Sequence, residues 1–211
     1  MPLKQLVKNL LSPIVIYRFP ASPFVFLTFD DGPDPQGTPA ILKILDETNT
    51  KATFFLEGRK MEQYPHVVRE IHRSGHALAY HAFDHRPMNE LFLSELIAEC
   101  QRMKILFRSY GQEVQFFRPP YGKITILSLF VFGLYNKRFI QWSVDSGDSL
   151  GCDAKSIVNR FEKRNIQQGD IFLFHDDAEV TPRVLREIII DLRESGFSFG
   201  SLQRRKDITT A

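Results

Sequence analysis

Phe24-Val25-Phe26-Leu27-Thr28-Phe29-Asp30-Asp31-Gly32-Pro33-Asp34 is the stretch on which the fold turns. Its first half is apolar with β propensity, and Gly32-Pro33 followed by Pro35 stops a strand and forces a turn. Two adjacent carboxylates therefore stand where a strand runs out. At a frayed strand end, neighbours that would otherwise alternate faces can be aimed at one site. Carboxylates that close together call for a metal, a cation or a shared proton.

Working outward, strand-like and helix-like segments alternate. The pattern predicts strands at Phe24–Phe29, Ala52–Leu56, Ala77–Tyr80, Gln115–Phe117, Phe139–Ser143, Asp170–Phe174 and Phe197–Ser201. Between them it predicts helices at Thr38–Asn49 (Thr38 as N-cap, Pro39 at its first position), Pro65–Ser74, Ser94–Tyr110, Ile124–Leu134, Ala154–Gln167 and Thr181–Ser195. Such alternation means parallel strands with crossover helices, and about seven βα units in 211 residues favour an α/β barrel of one domain. The apolar run around Ile124–Leu134 is too short to cross a bilayer and reads as a buried helix. No glycine-rich phosphate loop follows the first strand, which counts against nucleotide binding.

Composition is that of an ordinary globular protein, with 43% hydrophobic and 25% charged residues and 19 phenylalanines. A formal charge of +2 with no basic stripe argues against nucleic acid as a partner. Cys100 and Cys152 lack metal-type spacing and read as free thiols rather than a disulfide. Leu3, Leu6, Val7, Leu10 and Leu11 fall at helical spacing in residues 1–20, an extension ahead of a domain at 21–205. Two readings of it stand: a helix packed on the domain, or a peripheral membrane contact through residues 3–11. With Lys8 interrupting the apolar run and no small-residue cleavage site, the expectation is a cytoplasmic or membrane-associated chain rather than a secreted one. Oligomeric state is not legible.

Every predicted strand of interest is followed by chemistry-bearing residues. Asp30 and Asp31 follow the first, and His81 and His85 follow Ala77–Tyr80. Arg118-Pro119-Pro120-Tyr121-Gly122 follows Gln115–Phe117, Asp145 and Asp148 follow Phe139–Ser143, and His175 follows Asp170–Phe174. In a parallel barrel all of these reach the C-terminal rim, where barrel enzymes build their sites. His81 and His85, four apart, face one way on a helical turn; with one carboxylate they leave open positions on a divalent metal. One aspartate then remains as general base for an attacking water, with His175 across the rim as general acid. Arg118, stiffened by its prolines, is placed to hold a buried carboxylate, and Asp148 to keep His175 protonated.

Thr28-Phe29-Asp30-Asp31-Gly32-Pro33, His81-x-x-x-His85, Arg118-Pro119-Pro120-Tyr121, Asp148 and Leu173-x-His175 resemble the five ordered motifs of the polysaccharide deacetylase family (NodB homology, carbohydrate esterase family 4, CE4). The likeness runs from about residue 24 to 200. It implies a distorted (β/α)7-type barrel and metal-dependent removal of an acetyl group from a glycan. It further implies Asp31, His81 and His85 as ligands of a divalent metal, usually zinc, with cobalt or nickel as alternatives. Asp30 would be the base and Arg118 its orienting partner. The Tyr121 backbone N–H would serve the oxyanion, and His175 would be the acid tuned by Asp148. Leu173 would meet the acetyl methyl. Trp142 by itself reads as core more than site. Two departures stand out: Ala82 where the family has Ser or Thr, and Ser149 where it has Trp. The first removes a hydroxyl brace from the metal loop; the second opens the question of substrate. Rival readings are hydrolysis of non-sugar C–N bonds (an acetyl-polyamine or a cyclic amide), or a glycan-binding domain that has lost catalysis.

Overall fold

The structure, a computed structural model, describes residues 15–203. Among these residues nine strands form one parallel sheet in the order β1-β6-β5-β4-β3-β2-β8-β7, with β9 also on β2. They are β1 (Val15–Ile16), β2 (Phe24–Gly32), β3 (Thr53–Leu56), β4 (Ala77–Tyr80), β5 (Phe116–Phe117), β6 (Arg138–Ile140), β7 (Val144–Asp145), β8 (Ile171–His175) and β9 (Ser198–Gly200). The helices are α1 (Gly37–Glu47), α2 (Gly58–Gln63), α3 (Pro65–Arg73), α4 (Leu93–Ser109), α5 (Ile126–Leu134), α6 (Ala154–Glu162) and α7 (Thr181–Glu194). The sheet curls into an incomplete barrel. Its two edge strands are tied through Asp170, which accepts from Arg18 Nε at 2.7 Å and from Ser143 Oγ at 2.6 Å.

Strand alternation sorts the core into two layers. Inside the barrel lie Ile16, Phe26, Phe55, Ala79, Phe116, Ile140 and Ile171. Outside, beneath the helices, lie Leu27, Phe29, Phe54, Tyr80, Phe117, Phe139, Phe172 and Phe174. Rings stack across the sheet–helix boundary, Phe117 on Phe132 of α5 at 4.3 Å and Phe161 of α6 on Phe174 at 5.7 Å. Each such buried ring contributes about 2–3 kcal/mol, so the many phenylalanines are the material of both layers.

The sequence reading holds for the barrel and is corrected in places. β2 does not end at Phe29 but continues through both aspartates to Gly32. Thr38 is not the cap of α1, which begins at Gly37; its hydroxyl instead donates to Asp176 Oδ2 at 2.5 Å and accepts the Asp34 N–H at 2.8 Å. α2 and β7 were not expected, being two to six residues long and without periodicity. Val15–Ile16, placed by the sequence in the extension, pairs with β6. The helix at Ile124–Leu134 starts at Ile126, where Thr125 Oγ1 accepts the Ser128 N–H at 3.0 Å. It is not buried: Ile126, Phe130 and Leu134 are 88%, 63% and 71% exposed. The amphipathic pattern at residues 3–11 lies outside the described residues.

Candidate active site

The inward faces of the strands carry the site. On β2, Phe26, Thr28 and Asp30 point into the barrel; on β8, Ile171, Leu173 and His175 do so, with Thr28 beside Leu173 and Asp30 beside His175 in register. Strict alternation would turn Asp31 outward. It does not, because the β2–β3 register shifts between Phe29 and Gly32 and Asp31 takes φ 68°. A bulge, rather than a frayed end, therefore brings two consecutive carboxylates to one side.

At the floor lies Arg118, fully buried at the end of β5. Nη1 donates to Asp30 Oδ1 and to Thr28 Oγ1, both at 2.7 Å. Nε and Nη2 donate to the carbonyls of Ile140 and Gln141 at 3.2 and 3.1 Å, and the guanidinium lies 4.1 Å over the Phe55 ring. Burial pulls Arg118 below the ordinary arginine range while Asp30 pulls it back. A buried cation so held fixes the Asp30 carboxylate in position.

His81, His85 and Asp31 meet above. His81 Nδ1 lies 2.8 Å from the Arg118 carbonyl; a carbonyl only accepts, so Nδ1 carries hydrogen and, in the neutral ring, Nε2 presents its lone pair. That nitrogen stands 3.2 Å from Asp31 Oδ1, and His85 Nε2 stands 3.0 Å from the same oxygen. Yet Oδ1 is a buried oxygen with no well-formed hydrogen bond. Acceptors turned toward one another are what a cation between them would satisfy. The three donor atoms lie within 4.8 Å of each other, and one carboxylate with two imidazoles suits a divalent metal that keeps open positions. The residues present thus fit the implied metal. Burial alone would raise the Asp31 carboxyl, but the two imidazoles outweigh it and hold it well below the usual carboxylate range. Burial would lower His85, and Asp31 more than offsets that, leaving it raised.

Across the rim, His175 Nδ1 lies 2.8 Å from Asp148 Oδ1. Asp148 also accepts the His175 N–H at 2.7 Å, the Ser149 N–H at 2.9 Å and the Thr181 hydroxyl at 2.6 Å. Burial opposes charge on both groups. Pairing overrides it, lowering Asp148 and pushing His175 up to about 9. Between the two halves lies a groove of about 370 Å³ lined by Asp30, Asp31, His81, His85, Tyr121, Trp142, Asp145, Ser149, Leu173 and His175.

All nine residues predicted for the site converge here. His81 and His85 do so without the expected helical turn, on a loop in which Ala82 and His85 have φ 66° and 53°. Trp142, read as core, is half-exposed and lines the groove. Gly122, at φ 64°, keeps that wall close, since a Cβ there would stand 2.9 Å from the Trp142 ring. Several supporting residues were not legible. Thr28 and Thr181 look like ordinary strand and helix positions. Glu99, half a helix along α4, accepts the Phe83 N–H and the Tyr80 hydroxyl, both at 3.0 Å. The Ala82 and Phe83 carbonyls accept the Gly58 and Arg59 N–H groups at 2.9 and 3.0 Å. The metal loop is therefore braced by α2 and Glu99 without a hydroxyl at position 82.

Fold and rim together define a barrel enzyme whose chemistry sits at the C-terminal ends of its strands. A family model described as polysaccharide deacetylase matches residues 19–140, and the chain belongs to that family of carbohydrate-deacetylating hydrolases. It is 36% identical over 183 residues to a peptidoglycan-N-acetylglucosamine deacetylase of Bacillus cereus, covering 84% of this chain and 66% of that protein's length. The fold is similar to that of the Bc1960 peptidoglycan N-acetylglucosamine deacetylase solved with a hydroxamate, 4-naphthalen-1-yl-N-oxidanyl-benzamide (TM-score 0.87, 29% identity, 100% and 98% of the two chains). It is also similar to a CE4 family pseudoenzyme from Bacillus anthracis (TM-score 0.85, 27% identity, 94% and 70%).

Proposed function

We propose that this chain is a metal-dependent hydrolase that removes N-acetyl groups from a glycan of N-acetylated amino sugars, of the peptidoglycan kind. One observation carries the reading: Asp31, His81 and His85 converge on one side of a groove whose other side is His175, with an Arg118-held Asp30 beneath. Fold alone would not carry it, since a pseudoenzyme shares the fold; the retained side chains do.

A divalent cation held by Asp31, His81 and His85, zinc on the character of these donors, supplies a Lewis acid for the acetyl carbonyl and the attacking water when bound. Asp30, held in place by Arg118, takes the proton from the water. The Tyr121 N–H, presented at the groove by a turn at φ 58°, donates to the oxyanion. His175, protonated through Asp148, gives its proton to the departing amine as the C–N bond breaks, leaving acetate and a free amino sugar. Leu173, 5% exposed at the groove floor, meets the methyl.

Acetate release from chito-oligosaccharides, peptidoglycan fragments and acetyl-polyamines, each with zinc, cobalt or nickel, tests the substrate class. Release confined to the acetyl-polyamines removes the glycan assignment. Asp30→Asn keeps its metal stoichiometry while kcat falls by about 10²–10⁴; near-full activity in that variant removes the base assignment.

A further inference from the structure

Among the rim residues, Asp31 has an unusual backbone. Its φ of 68° is left-handed, a conformation that residues other than glycine seldom take and that persists only where the surroundings hold it. The carbonyls on either side are held by backbone of neighbouring strand ends. That of Asp30 accepts the Asp176 N–H at 3.1 Å, and that of Gly32 accepts the Glu57 N–H at 2.7 Å. The Asp31 carbonyl, turned by the bulge, accepts a side chain, Lys60 Nζ, at 2.5 Å.

Lys60 stands on α2, and its side chain is 28% exposed. The same ammonium lies 2.9 Å from Glu57 Oε1 and 3.7 Å from Asp177 Oδ2. Its three partners come from three places in the chain: the end of β2, the residue after β3, and the loop two residues past His175. An ammonium has three donors and no acceptor, so Lys60 is engaged from three sides. A lysine that served solubility alone would extend into water. Withdrawing most of the side chain and aiming its head at a carbonyl carries a desolvation cost that fixed partners must offset. α2 also carries the Gly58 and Arg59 N–H groups that hold the loop of His81 and His85. One short helix therefore grips both segments from which the three metal-binding side chains come.

We propose that Lys60 is a positioning residue of the metal centre. It holds the Asp31 peptide in its left-handed turn, which aims the carboxylate at His81 and His85. Through Asp177 it also ties that peptide to the loop that follows His175. Granted that Asp31, His81 and His85 hold a divalent cation, the affinity of that site depends on a lysine that acts through the backbone and not on the reacting atoms.

Zinc affinity of the full chain, measured by competition with a chromophoric chelator, tests this in two variants. Lys60→Met keeps the stem and removes the donor; Lys60→Arg restores a cation with donors. Expected is a loss of about 10–100-fold in Lys60→Met, most of it recovered in Lys60→Arg. The visible spectrum of the cobalt-loaded protein, which reports ligand geometry, should change in Lys60→Met and return in Lys60→Arg. A merely structural lysine would lower the Tm of the metal-free protein and leave both readouts unmoved. Should Lys60→Met not fold, Lys60→Gln, with a neutral donor on a shorter stem, takes its place with a smaller loss expected. Wild-type protein that binds neither zinc nor cobalt overturns the metal reading and this role with it. Wild-type binding, with affinity and spectrum unchanged in the folded variant, leaves the metal site standing and overturns the role of Lys60 alone. Equal losses in Lys60→Met and Lys60→Arg, matched by equal falls in metal-free Tm, assign the residue to the stability of α2 and overturn that role as well.

Discussion

Asp148→Asn should change the pH dependence of turnover more than its maximum. In the wild type, burial drives His175 toward its neutral form, and the hydrogen bond and charge of Asp148 overcome this and push it up to about 9, with Asp30 and Asp31 adding. Asparagine keeps the shape and, through its side-chain oxygen, an acceptor for the Nδ1 hydrogen. It removes the charge, so burial is no longer outweighed by Asp148 and His175 returns to its ordinary 6.5 or below. At pH 8 the fraction of His175 able to donate drops from about 90% to about 3%, a loss of about 30-fold. At pH 6 both forms are mostly protonated and the loss is below about twofold. Measuring kcat/KM for acetate release from pH 5 to 10 reads this directly, as an alkaline limb moved from near 9 to near 6.5. The same linkage has a stability arm. Because the folded pKa lies above the unfolded one, the pair stabilises the fold fully below pH 6.5 and loses that contribution as pH rises through 9. The variant's deficit in Tm should accordingly be larger at pH 6 than at pH 10. An activity loss equal at pH 6 and pH 8 would refute the reasoning and reduce Asp148 to a loop-building residue.

Two further substitutions probe the walls of the site. Glu99→Leu leaves the Phe83 N–H and the Tyr80 hydroxyl without their acceptor, at about 1–3 kcal/mol each; thermal unfolding should show the loss, and metal affinity, by competition with a chelator, should fall about 10–100-fold. Glu99→Gln, which retains an acceptor, should largely restore both. Trp142→Ala removes a wall of the groove. It should raise KM several-fold with kcat little changed; a fall in kcat alone would assign the ring to positioning of the reacting groups.

The barrel was legible because strands and helices alternate in sequence, and because chemistry-bearing residues follow nearly every strand. The rim residues were legible for the same reason: a polar residue just past an apolar run has few structural uses. What could not be read depends on three-dimensional register. Nothing in Asp30-Asp31 announces a bulge, since the shift exists only relative to β3. Glu99 stands sixteen residues from the N–H it secures, so no local pattern carries it. The exposure of α5 was misread because an apolar helix looks the same in sequence whether it faces a core or lacks a partner. Only half of its surface is used by Phe117 and its neighbours.

Arg118 has a consequence for how the barrel holds its register. The guanidinium is sealed inside the barrel, and among the described residues the one carboxylate it touches is Asp30. One planar group thus spans the lumen, taking Thr28 and Asp30 of β2 at one end and the carbonyls of Ile140 and Gln141 at the other. It is a keystone: a lysine, with a single point of charge in place of a fork, could not grip both sides at once.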